Sequence, residues 1–303
     1  MKTVIEYLES KNIFNQKIII ARSLLAFGSL LLLLFNNITE LTDSSLMVDN
    51  DSFSIVSPFK QYSLFNVCDP GIAKVISIII LLWVISGYLP QLSSILQTWV
   101  HFSICNSFVV IDGGDQVALI LSLLLIPVCL FDKRINQWNN SRALRKNANI
   151  FFNVYFFLIY IQVAGIYLHA GIGKLYTTDE WRNGTCLYYW FTNNVFGAPV
   201  IFQNIYNFFT LSKFAPIYTW LIIIFELGLF ACILATNKKI RYSFMIAGIL
   251  FHLGISLTHG LITFFFSMFA ALILYLDSDN IMYHYLKKIK LWITSKKTLH
   301  LGN

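Results

Sequence analysis

Four ionisable residues lie within or beside long apolar runs of this sequence, where a charge is costly unless it has a partner. They are His101, Lys174, Glu226 and His252. A carboxylate such as Glu226 in an apolar run needs a cation, a hydrogen-bond donor or a proton. His101 and His252 are its candidate partners. The set is therefore predicted to form either a buried structural network or a catalytic, proton-handling site.

Lys174 ends the string His169-Ala-Gly-Ile-Gly-Lys174. Gly171 and Gly173 permit close backbone approach or a sharp break where a helix meets a loop. Desolvation at a membrane boundary favours the neutral amine of a lysine, which can act as a base or nucleophile. The alternative is a lysine whose ammonium reaches the lipid headgroups. His169 either caps its helix or contacts a substrate.

The string Asp112-Gly-Gly-Asp115 is typical of a tight turn before a helix. The glycines favour the turn, and either aspartate can cap the helix that follows. Two carboxylates are weak support for a metal site, and the five cysteines form no CxxC pattern. We therefore expect no conventional metal centre.

The elements that must position these residues are membrane spans. The chain has 303 residues, of which 57% are hydrophobic and only 12% charged, with a mean hydropathy of +0.65. A soluble domain carries roughly 25% charged residues, and about 20 apolar residues cross a bilayer as a helix. Eight spans are predicted, at residues 18–35, 72–89, 92–111, 115–131, 150–169, 216–236, 242–258 and 261–276. The first run has no cleavage site after it, so it is expected to be retained as a span.

The third predicted span contains His101 and is the least apolar of the eight. Its crossing of the membrane is therefore predicted from the distribution of the basic residues. If it crosses, 17 of the 22 basic residues fall on one side of the membrane. Basic residues concentrate in cytoplasmic loops, so both termini and the basic tail 277–303 are predicted to be cytoplasmic. The same distribution explains the net charge of +7 and excludes a nucleic-acid partner. The fold class is thus an all-α polytopic membrane protein with one domain over residues 1–303.

Residues 171–215, the aromatic segment, follow the fifth predicted span on its outer side. Twelve of these 45 residues are aromatic, which is typical of re-entrant or interfacial helices. Together with His169, the predicted substrate-binding residues are Trp181, Gly184, Tyr188 and Trp190. An aromatic cap without a ligand is the alternative.

Cys68 and Cys186 both face the oxidising side in this topology and are candidates for a disulfide. The other cysteines, Cys105, Cys129 and Cys232, lie within predicted spans and are interpreted as small packing residues.

Several strings in order resemble the HTTM superfamily, which includes the vitamin K-dependent gamma-carboxylases. They are Tyr167-Leu-His-Ala-Gly-Ile-Gly-Lys174, Trp181-Arg-Asn-Gly184, the turn at Asp112, and Glu226-Leu-Gly followed by Arg241 and His252. The resemblance implies that Lys174 is a base that deprotonates a quinol and that His101 supports the reaction. It also implies a quinone-type cofactor. The chain ends about 27 residues after its last span, so glutamate carboxylation by this chain alone is not expected.

Within that superfamily, the string from Asp179 to Trp190 resembles the SdpB-like branch. This resemblance implies a bacterial membrane protein that matures a secreted peptide toxin of the sporulation-delaying type. Its partners would be the peptide precursor and a small protein encoded in the same operon. An enzyme is favoured, with the bond chemistry undetermined. The alternatives are a non-catalytic chaperone, transporter or immunity factor, and a quinone-linked oxidoreductase.

Overall fold

The structure, a computed structural model, describes residues 6, 9, 12, 14–42, 57–139, 146–194, 196–277, 280–283 and 287–288. Within these ranges the chain is helical, and the only β-type pairing recorded is an isolated bridge between Tyr88 and Asn136. The basic tail predicted at residues 277–303 lies almost entirely outside the described residues.

The α-helices follow one another with short connections. They are α1 Gln16–Phe35, α2 Ile38–Leu41, α3 Leu64–Val67, α4 Pro70–Ser86, α5 Pro90–Ser107, α6 Gly113–Leu130, α7 Lys146–Thr177, α8 Asp179–Asn183, α9 Cys186–Phe191, α10 Val200–Thr210, α11 Ala215–Ala231, α12 Lys238–His259 and α13 Ile262–Leu276. Two 3₁₀ turns, Ser57–Tyr62 and Cys232–Leu234, accompany them.

All eight predicted spans are helices, and the prediction of an all-α polytopic membrane protein is confirmed. In the described part of the chain, five helices are long and apolar enough to cross a membrane: α1, α6, α7, α12, and α11 with its 3₁₀ extension. Helices α4 and α13 are apolar but shorter. Helix α5 has the length of a span, but its buried face carries polar side chains such as Gln97 and His101. A membrane crossing by α5 stays a prediction from charge asymmetry.

Helix α13 is the centre of the bundle. It packs against α1, α6, α7 and α12, and every side chain from Ala270 to Leu276 is fully buried. One hydrophobic cluster joins α13 to α1, α6 and α7, and a second joins α1 to α4 and α5. Helix α11 packs along α7. The bundle thus has two packed halves that share α1.

Helix α7 is continuous through both glycines at its end, so the break predicted at Gly171 and Gly173 is wrong. Neither glycine has a positive φ, and the helix runs for 32 residues to Thr177. A Cβ on Gly171 would lie 2.8 Å from the Leu227 side chain, whereas one on Gly173 would meet open space. Gly171 therefore permits close packing of α7 on α11, and Lys174 lies within the last turn of α7 rather than in a loop.

The remainder of the aromatic segment forms the short helices α8, α9 and α10. Helix α10 exposes large apolar side chains, among them Val200, Ile201 and Phe208. Helices of this length with exposed apolar faces match the prediction of short helices rather than an irregular loop. Their placement at the membrane interface stays a prediction.

Candidate functional site

An ion pair between Lys174 of α7 and Glu226 of α11 forms the centre of the candidate site. Lys174 Nζ lies 2.8 Å from Glu226 Oε1 and 2.6 Å from Oε2, and it also donates to the carbonyl oxygen of Ala170 at 3.3 Å. The two side chains are 19% and 8% exposed. The Trp181 ring lies 5.1 Å from Nζ. An ammonium has three protons, and three acceptor oxygens surround this one.

This pair corrects the expectation that His101 or His252 is the partner of Glu226. Because α7 continues past the glycines, its last turn carries Lys174 across to the middle of α11. Lys174 is therefore neither an isolated desolvated amine nor a lysine extended to the headgroups. To act as a base it must first give a proton to Glu226, and the direct contact between the two groups permits that transfer.

His252 of α12 forms a second polar contact in the same region. Its Nε2 lies 3.0 Å from the Tyr167 hydroxyl, and its ring touches the rings of Phe251 and Phe264. His252 is 3% exposed, and its Nδ1 has no hydrogen-bond partner among the described protein atoms. A buried nitrogen without a partner is uncommon and calls for a functional explanation.

These groups face one cavity of about 1130 Å³. Helices α6, α7, α11, α12 and α13 form its walls, and residues of α8 and α9 also line it. Six of the predicted site residues line it: His169, Lys174, Trp181, Trp190, Glu226 and His252. Leu187 and Phe191 of α9 also line it. The cavity thus brings the buried ionisable groups and part of the aromatic segment together, as a binding site requires.

His101 does not line this cavity. It is buried on α5, where its Nδ1 lies 3.1 Å from Ser122 Oγ of α6. Helix α5 also contributes Ser93 and Gln97 to the Arg22 network, which we define as Arg22, Ser93, Gln97 and Gln137. The Arg22 guanidinium donates to Ser93 Oγ at 3.0 Å, Gln97 Oε1 at 3.1 Å and Gln137 Oε1 at 2.6 Å. The structure therefore places His101 away from the cavity, with Ser122 at its Nδ1 and no partner for its Nε2 among the described protein atoms.

The aspartates of the predicted turn cap α6. Asp112 Oδ1 accepts from the Asp115 backbone N–H at 3.0 Å, and Asp115 Oδ2 accepts from the Asp112 N–H at 3.1 Å. Thr263 donates to Asp112 Oδ2 at 2.7 Å. A Cβ on Gly114 would lie 2.3 Å from the Phe264 backbone, so this glycine permits α6 and α13 to touch. These contacts join the start of α6 to the start of α13, beside the cavity.

Gly184 and Tyr188, predicted to bind substrate, lie in the aromatic segment but do not line the cavity. Gly184 ends α8 with φ +78°, and a Cβ there would lie 2.3 Å from Pro216. It thus lets the aromatic segment approach the start of α11. Tyr188 contacts the Tyr189 ring edge to face.

The predicted disulfide between Cys68 and Cys186 is not formed, and both cysteines are free. Cys186 is buried against Trp181 and Ile223, whereas Cys68 packs on the cluster formed by α1, α4 and α5. Burial raises the pKa of the Cys186 thiol to about 11, which disfavours the thiolate needed for disulfide formation. The two cysteines therefore belong to separate hydrophobic clusters.

Tyr167 is the main site residue that the sequence-based prediction missed. It lies seven residues before Lys174 on α7, so both side chains point to the same helix face. That spacing was the available signal. Gln116 and Gln162, which also line the cavity, carry no comparable signal. Among the described residues, no group of three or more His, Cys, Asp and Glu side chains is arranged to hold a metal ion.

The chain matches no protein-family model and no solved structure. It is 38% identical over 278 residues to sporulation-delaying protein SdpB of Bacillus subtilis (strain 168), covering 89% of this chain and 84% of that protein. It is also 31% identical over 302 residues to the uncharacterized protein YitO of the same strain, covering 96% and 95%. Membership of the wider HTTM superfamily stays a prediction. With this identity over most of both chains, the protein belongs to the SdpB family.

Proposed function

We propose that this protein is a membrane-embedded maturation factor for a secreted peptide toxin of the sporulation-delaying type. It would modify or process the peptide at the outer membrane boundary, together with a small partner protein from the same operon. Similarity to sporulation-delaying protein SdpB supports the biological system. The observation that carries a chemical role is the cavity into which Lys174, Glu226 and His252 all face.

Lys174 and Glu226 are the proposed acid–base pair. Transfer of one proton from the Lys174 ammonium to Glu226 leaves an amine and a carboxylic acid, with no change in net charge. In an apolar cavity the neutral forms avoid the cost of two desolvated charges. The amine then accepts a proton from an acidic group of the bound peptide, which restores the Lys174 ammonium, and Glu226 donates its proton to the product, which restores the carboxylate.

The proposed orientation places both termini in the cytoplasm of a bacterial cell, with the cavity at the outer side. Helix α12 begins with Lys238 and Lys239 and ends at His259, which lines the cavity. Helix α7 likewise begins at Lys146, which follows Arg142 and Arg145 in the sequence, and ends just beyond Lys174. The basic ends and the cavity thus lie at opposite ends of both helices, which agrees with cytoplasmic basic loops.

A non-catalytic chaperone, transporter or immunity factor is the second candidate function. It is favoured by one observation: the three protons of the Lys174 ammonium are already accepted by Glu226 and Ala170. In that case the ion pair joins α7 to α11 and the cavity only holds the peptide. A quinone-type cofactor, implied by the family resemblance, is the third candidate.

Mass spectrometry of the exported peptide separates these functions. We expect the peptide from a producing strain to have a different covalent mass from the peptide of a deletion strain. A Lys174→Ala strain should resemble the deletion strain, with the variant protein present at normal levels in the membrane. Lys213→Ala is the matched control, since Lys213 is exposed in the aromatic segment and does not line the cavity; it should give the native mass.

Two results would contradict the catalytic proposal. An unchanged peptide mass on deletion of the gene would favour the chaperone or transporter. Fully active toxin from a correctly inserted Lys174→Ala variant would remove Lys174 from the chemistry.

A further inference from the structure

The nitrogen atom Nδ1 of His252 is the polar atom of this cavity that needs a partner. His252 lines the cavity, and only 3% of its surface is exposed. Its Nε2 is occupied by Tyr167, while Nδ1 has no protein partner among the described atoms. The charged groups beside it, Lys174 and Glu226, already bind each other. His252 is therefore a lining residue of the cavity with one buried ring nitrogen that still requires a hydrogen bond.

The Tyr167 hydroxyl determines what that nitrogen offers. A neutral imidazole carries its proton on one nitrogen only. If Nε2 donates to Tyr167, the tyrosine O–H is left as a buried donor, since the structure gives that oxygen no other partner. If Tyr167 donates to Nε2, its hydroxyl is satisfied and the imidazole proton lies on Nδ1. The second arrangement leaves fewer buried groups unpaired and is favoured.

We propose that His252 binds a backbone carbonyl of an apolar peptide segment, with Nδ1–H as the donor. Tyr167 is the positioning residue that keeps the proton on Nδ1. This inference rests on the proposed function, because it takes the substrate to be a peptide, and it identifies the group that holds that substrate beside Lys174.

The lining of the cavity favours an uncharged peptide segment. Its two charged side chains neutralise each other, so an occupant with a net charge would lack a counter-ion. Most of the wall is apolar or aromatic, which suits apolar side chains. Gln116 and Gln162 add amide groups, each with both a donor and an acceptor. A peptide backbone matches such groups with carbonyls and N–H groups, whereas a lipid acyl chain has no N–H to donate.

Photo-crosslinking of the full-length protein in lipid nanodiscs tests the proposal. The probe is a short Leu/Ala peptide, capped at both ends, with one photoreactive leucine at its centre. We expect His252→Phe to raise the half-saturating probe concentration about tenfold, the effect of one buried hydrogen bond. His252→Asn should restore most of the affinity, because the Asn amide N–H lies close to the position of Nδ1.

A spectroscopic measurement tests the role of Tyr167. With ¹⁵N-labelled imidazole rings, native His252 should show its proton on Nδ1, and Tyr167→Phe should shift the spectrum toward a mixture of both tautomers. The same variant should weaken probe binding about threefold, since part of the population loses the donor. Tyr275→Phe is the matched control: this tyrosine is buried and donates to backbone carbonyls, but it does not line the cavity. It should change neither readout.

Three results would overturn the proposal. Unchanged probe binding in a folded His252→Phe variant would remove the hydrogen bond. If His252→Phe does not fold, His252→Asn is compared with His252→Leu. Equal loss of probe binding in these two folded variants would show that the hydrogen-bond donor does not contribute to binding. Displacement of the probe by phosphatidylcholine or a quinone, but not by unlabelled peptide, would assign the cavity to that ligand. Failure of the maturation proposal is a separate result, an unchanged peptide mass on gene deletion.

Discussion

Two groups of buried polar side chains in this protein lie among apolar helices but have different surroundings. The Arg22 network joins α1, α5 and the connection after α6, and each of its contacts is a hydrogen bond between protein groups. The Lys174–Glu226 pair and His252 also lie among apolar helices, but they line a cavity. No member of the Arg22 network lines that cavity.

The difference shows that a polar residue within an apolar helix has two distinct uses. In the Arg22 network, polar atoms meet each other and hold helices together in a surrounding without water. At the cavity, one ring nitrogen lacks a protein partner and the ion pair borders open space. Access to a cavity, rather than burial, therefore distinguishes the candidate site from the structural network.

The largest effect on stability is expected from Arg22→Leu. This change leaves the oxygens of Ser93, Gln97 and Gln137 without their shared donor, at about 1–3 kcal/mol for each unpaired group. We expect a loss of about 3 kcal/mol or more in the free energy of unfolding, measured by denaturant titration in mixed micelles. Arg182→Leu, at an exposed position of α8, should change it by less than about 1 kcal/mol. An Arg22→Leu protein as stable as the native one would show that this network does not hold the helices together.

A smaller effect is expected from Glu226→Leu, because its partner Lys174 is 19% exposed. We expect a loss of about 2–3 kcal/mol, which reflects a lysine left without its counter-ion. The double variant Lys174→Met/Glu226→Leu should return to within about 1 kcal/mol of the native stability while losing peptide maturation. If the double variant matures the peptide, the pair belongs with the structural network and the comparison drawn above is wrong.

Gly171→Ala should cost about 1–2 kcal/mol, because the new methyl group would lie 2.8 Å from Leu227. Gly173→Ala, two residues later on the same helix, meets open space and should stabilise the protein by about 0.5–1 kcal/mol through helix propensity. Thermal unfolding of both variants in one detergent provides the measurement. Equal effects at the two positions would contradict close packing of α7 on α11.

The smallest effect is expected from Ser122→Ala, which removes the hydrogen bond to His101. A loss of about 1 kcal/mol in unfolding free energy is expected, with the mass of the exported peptide unchanged. Loss of maturation with normal stability would instead return His101 to the list of catalytic residues.

Most of the helices at the predicted spans were predictable because long apolar runs depend on local composition; α5 was predicted from charge asymmetry, and its membrane crossing stays a prediction. The Lys174–Glu226 pair was not predictable, since the two residues are 52 positions apart in sequence and their contact depends on how α7 packs on α11. The glycines before Lys174 were predicted to permit either close backbone approach or a sharp break, and close approach occurs at Gly171, as membrane helices allow where a neighbouring helix packs closely. Likewise, sequence patterns placed Cys68 and Cys186 on the same side of the membrane but gave no information about which cluster each packs into.

Helix α7 has a consequence for the bilayer around this protein. Its 32 residues make it about 48 Å long, against a hydrocarbon core of roughly 30 Å. A helix with this mismatch tilts or extends beyond the hydrocarbon region, and the balance depends on acyl-chain length. Because Lys174 lies in its last turn and Trp181 just after it, membrane thickness sets the depth of the ion pair relative to the lipid headgroups. The lipid composition of the host membrane therefore affects how deeply the candidate site is buried in the bilayer.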